Sequence, residues 1–258
     1  MEQKISNSAS KCNNVHIGLE AYSPKERYAF PLKLNHPSVQ KVIQIALELS
    51  KENRVITADL LYNHAKKELK IPGGGLKKII QILLNRKIIV DGSRFTRINV
   101  LTNKTRSFIY QLIKTHIGVH FSYLKTELTQ EKDVEIGVGD LIWHLEKLLS
   151  FNLIKKVKVK NYVLFLPIEI SDEEGILYFI LRDVINISIV NYLLENGSVN
   201  IADLYKDLKV ERSKVYYRIK TLIDARLISP LNDDEKKIII NSDIQDLIKK
   251  IILNISKS

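Results

Sequence analysis

The sequence has almost no cysteine. Cys12 is the single one among 258 residues, which excludes an intramolecular disulfide framework and fits a reducing compartment. Long hydrophobic runs are missing too: stretches such as Ile176 to Leu181 fall far short of the roughly 18 to 20 apolar residues that a membrane-spanning helix needs. The opening residues, Met1-Glu2-Gln3-Lys4-Ile5-Ser6-Asn7, lack the apolar core of a signal peptide. A cytoplasmic protein without integral membrane contact is therefore expected. Acidic residues are in deficit, with 29 Asp and Glu against 40 Lys and Arg, a net charge of +11. Such an excess favours a polyanionic partner, nucleic acid or an anionic surface, without specifying a fold. At 45% hydrophobic and 27% charged residues the composition is ordinary for a globular protein, which rules out a mostly disordered or collagen-like chain.

Recognisable catalytic chemistry is also wanting. The six histidines, at 16, 36, 64, 116, 120 and 144, do not cluster with the cysteine or with carboxylates at metal-ligand spacing, so no metal site is expected. His116 and His120 are four apart but flank Gly118 at an expected helix end. Gly73-Gly74-Gly75 before Leu76-Lys77-Lys78 lacks the Walker spacing and a preceding strand, so it is read as a flexible turn rather than a nucleotide loop. No nucleophile constellation stands out, and neither an enzyme nor a cofactor is expected.

What is present is an internal repeat. Leu83-Leu84-Asn85-Arg86-Lys87-Ile88-Ile89, Leu148-Leu149-Ser150-Phe151-Asn152-Leu153-Ile154 and Leu222-Ile223-Asp224-Ala225-Arg226-Leu227-Ile228 share one pattern, 65 and 74 residues apart. Upstream of each, apolar residues at i, i+4 and i+7 (Leu76, Ile80, Leu83; Leu141, Leu145, Leu148; Val215, Ile219, Leu222) define one buried helix face. Earlier still, Ile56-Thr57-Ala58-Asp59-Leu60 resembles Asn200-Ile201-Ala202-Asp203-Leu204, with Phe121-Ser122-Tyr123-Leu124 at the matching place; these read as second helices opened by small polar residues. Downstream the period alternates. Lys155 to Lys160 and Asn161 to Leu166 read as two strands about a Lys-Asn turn, Lys237-Ile238-Ile239-Ile240 closes a second hairpin around Asn232-Asp233-Asp234-Glu235, and Ile88-Ile89-Val90 before Asp91-Gly92-Ser93 suggests a third.

Helix, helix, helix, hairpin is the winged-helix order. The expected fold is mainly α with small antiparallel β wings: a flexible N-terminal arm (1–35), three tandem winged-helix domains (36–103, 104–170, 171–241) and a C-terminal amphipathic helix (242–258). The first begins at Asn35-His36-Pro37-Ser38 with the stripe Val39, Val42, Ile43, Ala46, Leu47, and Ser242-Asp243-Ile244-Gln245 reads as a capping box opening the last helix.

Arg106-Ser107-Phe108-Ile109-Tyr110, Gly118-Val119-His120-Phe121 and Trp143-His144-Leu145-Glu146-Lys147-Leu148, with Val215 to Leu222 as a second half, resemble archaeal tandem winged-helix transcriptional regulators over residues 104 to 241. The resemblance implies that a helix ends at the Gly before a short strand, and that the His-Leu run marks a recognition helix. Where that family has Gly before the final apolar pair, this chain has Lys87, Asn152 and Arg226, and Ile117 replaces the usual Pro.

A winged helix that reads duplex DNA presents donors and positive charge on its third helix. In the third unit these are Arg212, Ser213, Lys214, Tyr216, Tyr217 and Lys220, with the tyrosines meeting base edges or thymine methyls, or one of them serving as core; in the first they are Lys77, Lys78 and Gln81. Lys156, Lys158 and Lys160 share one face of the middle wing, either along phosphates or as a solvated edge. The middle third helix instead offers Ile142 and Trp143 beside Asp140 and Glu146. That face suits a protein contact, or else Trp143 packs beneath the wing or linker.

The leading expectation is a double-stranded DNA-binding regulator. The rival is a tandem winged-helix assembly scaffold of the ESCRT-II-like, chromosome-segregation or polymerase-associated kind, joined through Ile142 and Trp143. Ile244, Leu247, Ile248 and Ile251 of the tail helix either form a homodimer contact or cover the third unit. Residues 36–103 carry twelve basic against five acidic residues, whereas 171–258 carry thirteen against fourteen, so net charge and the better recognition helix lie at opposite ends.

Overall fold

The computed structural model describes residues 33–132, 136–231 and 234–256. The expected arm, with Cys12, and the side chains of the loop Asn232-Asp233-Asp234-Glu235 lie outside the described residues, apart from the arm's last three positions. The described residues are mainly helical, with two small antiparallel sheets. Its apolar residues gather in three cores, centred on residues 39–89, 100–165 and 177–251.

The first unit holds α1 (Pro37–Lys51), α2 (Ala58–Glu68) and α3 (Gly73–Asn85). Pro37 at the helix start costs nothing because its missing N–H would be unpaired anyway, and His36 accepts from the Ser38 amide at 3.2 Å. Val39, Val42, Ile43 and Ala46 are buried as their spacing requires; Leu49 completes the stripe, while Leu47 is half-buried. The second unit follows a single 3-10 turn, Val100–Thr102, with α4 (Lys104–Thr115), β1 (Val119–His120), α5 (Phe121–Lys132), α6 (Val138–Ser150), β2 (Ile154–Val159) and β3 (Tyr162–Pro167). The third adds a leading helix, α7 (Asp172–Leu181), and then repeats the order with α8 (Val184–Asn196), β4 (Val199–Asn200), α9 (Ile201–Asp207), α10 (Arg212–Asp224), β5 (Ile228–Leu231) and β6 (Asp234–Ile240). Each sheet places its short first strand beside its last, in the orders β1-β3-β2 and β4-β6-β5.

The expected hairpin of the first unit is corrected by the structure. Only two isolated bridges form there, Ile56 with Ser93 and Ile89 with Thr96. The turn residues are drawn back onto the helices: the Asp91 carboxylate accepts from the Ala58 amide at 2.8 Å, and Ser50 donates to the Arg94 carbonyl at 2.6 Å. Backbone committed to those partners cannot continue a strand ladder. The tail departs from expectation as well. Ser242–Ile244 is a 3-10 turn without a side-chain cap, and α11 (Gln245–Ile255) begins only after it. The Ser242 hydroxyl turns to Asp243 at 3.2 Å instead of capping the helix.

The repeat is stricter in space than in letters. In all three units, the first fully buried residue of the second helix, Leu61, Leu124 or Leu204, stands four positions past the cap, and so do Leu76, Leu141 and Val215 on the third. Matching Ile56–Leu60 to Asn200–Leu204 therefore needs a shift of one residue, because Thr57 caps α2 as Asn200 caps α9. The α5 cap is His120, whose Nδ1 accepts from the Tyr123 amide at 3.3 Å.

Each third helix also ends alike. Lys87, Asn152 and Arg226 adopt φ of 54°, 53° and 56°, and the next amide returns to the carbonyl five residues back: Ile88 to Leu83, Leu153 to Leu148, Leu227 to Leu222, at 2.9 to 3.0 Å. This is the Schellman closure, where glycine is the usual residue because a Cβ in the left-handed region costs roughly 1 to 2 kcal/mol. Lys87→Gly and Arg226→Gly should each raise stability by about 1 kcal/mol, and Asn152→Gly by less, since Asn tolerates this region. Urea unfolding midpoints at constant m-value check this; unchanged or lowered midpoints for the first two contradict it.

α11 rests on α7. Ile248 and Ile251 are fully buried in the third core with Leu177 and Tyr178, Asn254 donates to the Tyr178 hydroxyl at 2.7 Å, and Lys250 pairs with Glu174 at 3.5 Å. Among the described residues no single helix is long and apolar enough to cross a membrane. The pair α7 and α8 has that composition but is bent by 99°, and its Leu177, Leu181, Ile189 and Leu193 are core.

Candidate nucleic-acid interface

The exposed face of α10 is set by its buried one. With Val215, Ile219 and Leu222 turned inward, Arg212, Ser213, Lys214, Tyr216, Tyr217 and Lys220 are all exposed. Tyr216 and Tyr217 are 40% and 61% exposed, so neither serves as core. Arg212 lies 5.2 Å from the Tyr216 ring and 5.9 Å from that of Tyr205, and Arg218 lies 5.4 Å from Tyr217. Two carboxylates edge this surface, and one of them, Asp183, pairs with Arg218 at 2.7 Å. Glu211, at the helix start, accepts from the Ser213 hydroxyl and pairs with Lys214 at 3.4 Å; those hydrogen bonds hold its carboxyl below the usual range.

α3 offers a second face of the same kind. Lys77 and Lys78 are exposed and Gln81 is half-buried, donating to Asn85 at 2.8 Å. Gly73, Gly74 and Gly75, read from sequence as a turn, are instead the first turn of α3 itself. A Cβ on Gly73 would lie 2.8 Å from the Tyr62 hydroxyl, so the end of the Tyr62 side chain would have to shift to admit one.

Tyr62 and Tyr205 were missed by sequence reasoning. Each follows the buried leucine of its second helix and lies beside cations of the helix pair: Lys66 and Lys77 at 5.8 and 6.0 Å from Tyr62, Lys206 and Arg212 at 5.9 Å from Tyr205. The signal was the one-residue shift, which aligns Leu61-Tyr62 with Leu204-Tyr205. The second unit has Lys125 at this position.

On the β2–β3 hairpin, Lys156, Lys158 and Lys160 are exposed, and the chain reverses through Lys160-Asn161 as the alternation indicates. Lys160 reaches Asp224 at the end of α10, at 3.9 Å, so this hairpin tip and α10 are neighbours. An exposed pair at that separation contributes little energy. Lys155, on the other face, pairs with Asp172 of α7 at 2.6 Å.

α6 is different in kind. Val138, Ile142 and Trp143 are exposed, beside exposed Asp140 and Glu146. Trp143 is 42% exposed, its ring centroid 6.2 Å from that of Phe95 in an edge-on arrangement at 73°. Between these rings sits Arg106, 1% exposed, 4.5 Å from Phe95 and 5.2 Å from Trp143, its Nε donating to the Val100 carbonyl. Trp143 thus closes the seam between the first two units with part of its surface and leaves the rest to solvent. Among the tail residues, Ile248 and Ile251 are internal to the chain, while Ile244 and Leu247 are half-buried.

The second and third units meet through backbone. Gly118, at φ 78°, lies so close to α7 that a Cβ would stand 2.6 Å from the Gly175 carbonyl, and one on Gly175 would strike Leu166 at 2.4 Å. Arg182 clamps the same turn, donating to the carbonyls of Ile117 at 2.8 Å and Gly118 at 3.3 Å. Burial first, and then the Arg182 charge, lower the proton affinity of His116 and His120; Glu127 partly offsets this at His116. Among the described residues no group of His, Cys, Asp and Glu is arranged to hold a metal ion.

No family model matches the chain. Over 153 residues, 59% of the chain, it is 28% identical to an uncharacterized HTH-type transcriptional regulator of Methanocaldococcus jannaschii. The chain is similar to a helix-turn-helix regulator. The matched stretch spans 36% of that relative's length, so the likeness concerns part of a longer protein.

The histidines give the seam a pH dependence. Both bind protons more weakly folded than unfolded, so stability is complete above the ordinary histidine value of about 6.5 and declines as pH falls through and below it. Urea midpoints should drop between pH 7.5 and 5.5, and drop less for a His116→Gln/His120→Asn variant, in which Asn keeps the α5 cap. Equal drops in both proteins would dissociate the effect from these residues.

Proposed function

We propose that this chain is a DNA-binding transcriptional regulator built from three tandem winged-helix domains, 36–103, 104–170 and 171–241, the first with its wing reduced to two bridges, with α10 reading the major groove. The observation that carries the reading is the polarity of α10: Arg212, Ser213, Lys214, Tyr216, Tyr217 and Lys220 all face solvent at the start of one helix. Guanidinium, ammonium and phenol groups at the N-terminal end of a groove-lying helix supply both base-edge and phosphate contacts. Lys156, Lys158 and Lys160, on a hairpin whose tip adjoins α10, extend the contact along the backbone as point charges without sequence preference. α3, with Lys77, Lys78 and Gln81, meets a second stretch of duplex. The likeness to an HTH-type regulator supports this reading, as does the match of Tyr62 with Tyr205.

α6 favours a second role within the same protein. Its apolar and acidic surface is a poor partner for phosphate, and Val138, Ile142 and Trp143 form a face suited to a protein contact. Were that face the whole function, the chain would be an assembly scaffold.

Fluorescence anisotropy with duplex DNA across a salt series separates the two. Log affinity should fall linearly with log salt, by about 0.9 unit per phosphate contact, and the Lys156→Ala/Lys158→Ala/Lys160→Ala variant should reduce the slope by about two to three units. Lys214→Glu with Lys220→Glu should weaken binding about ten-fold or more, whereas Trp143→Ala should leave it unchanged. Affinity indifferent to salt, or intact in the Lys214 and Lys220 variant while Trp143→Ala dissociates a cellular complex, would favour the scaffold.

A further inference from the structure

A cavity of about 240 Å³ opens where the second and third units and the tail helix converge, lined by Thr115, His116, Tyr123, Tyr178 and Arg182. Ile117 and Ile255 supply its apolar walls. Its one charged lining group is a donor, Arg182. The Arg182 guanidinium is held by two backbone carbonyls and lies 5.5 Å from the Tyr123 ring; among the described residues no carboxylate pairs with it. Tyr178 is 3% exposed, and its oxygen already accepts from Asn254, which leaves the hydroxyl proton to donate. A half-buried guanidinium met by neutral acceptors only attracts an anion. A carboxylate, Glu127, stands one helical turn from Tyr123 and is hydrogen-bonded to its hydroxyl. With one cation and one outlying carboxylate, the pocket suits a single negative charge rather than a polyanion.

We infer that this cavity binds a small organic monocarboxylate, its carboxylate on Arg182 and Tyr178 and its apolar body between Ile117 and Ile255. At roughly 30 Å³ of space per water-sized group, the volume holds about eight non-hydrogen atoms. An anion on Arg182 offsets the charge that opposes protonation of His116, so ligand binding is favoured on the acid side of neutrality and accompanied by proton uptake. The cavity borders the Gly118–Gly175 seam between the second and third units, which carry the Lys160 hairpin and α10. A ligand there therefore has leverage on the DNA surface; that consequence, unlike the site itself, rests on the function proposed above.

Calorimetry and NMR of the full chain without DNA test the site, with benzoate as probe, benzamide as its neutral counterpart and inorganic phosphate as a bare anion. Benzoate should bind saturably at one site, with benzamide and phosphate each about ten-fold weaker or more, and the His116 ring resonances should move. Arg182→Gln should reduce benzoate affinity about ten-fold or more. Because that change also cuts the clamp, Tyr178→Phe and His116→Gln provide variants that retain it; each should weaken binding, and His116→Gln should abolish the accompanying proton uptake. No saturable benzoate binding up to about 20 mM, equal affinity for benzamide, tighter binding of phosphate, or resonance changes confined to the Lys156–Lys160 hairpin overturns the site. Benzoate binding that leaves duplex affinity unaltered overturns the leverage alone.

Discussion

The arrangement of this protein depends on a backbone contact without side chains. Gly118 and Gly175 allow the turn before β1 to lie directly against α7, where either Cβ would collide with carbonyl or leucine atoms. Arg182 then ties the free carbonyls of that turn from two helix turns further along. Because α7 leads straight into α8 through the Asp183 cap, fixing α7 on the second unit also fixes the helices that carry α10. The neighbouring positions of the Lys160 hairpin and α10 follow from that one contact.

A second consequence is that charge and shape are separated. The first unit carries most of the excess basic residues, yet its hairpin is reduced to two bridges because Asp91 and Ser50 draw the turn onto the helices. The third unit is balanced in charge but concentrates its cations and tyrosines on one helix face, offsetting them with Glu211 and Asp183 at the edges. The second has its lysines on the hairpin and an apolar third helix. Three copies of one plan thus present three different surfaces.

The repeat and the helix faces were legible in sequence because burial imposes a period on every unit. Each third helix emerged from the Leu-Leu pattern, and its left-handed closing residue from the position where the resembled family has Gly, even though Lys87 and Arg226 stand there. Legibility failed where one residue of register mattered. The shift that pairs Tyr62 with Tyr205 is set by which side chain caps the helix, and His120 in that role belongs to no small-polar pattern. It failed again at Ser242, whose cap pattern is present while the chain, held by Asn241 to the Arg226 carbonyl, turns through a 3-10 segment instead.

Sequence by itself determined the local content: three helical trios, the hairpin at 154–167, the exposed face of α10 and the absence of a disulfide framework. These follow from periodicity and residue type, which act within a turn or two of chain. Tertiary structure alone decided that Ile248 and Ile251 cover α7, that Trp143 shares a seam with Arg106 and Phe95, and that Arg182 faces a cavity beside His116 and Tyr178. Each of those contacts joins residues from separate elements, and no period along the chain records a distance across it.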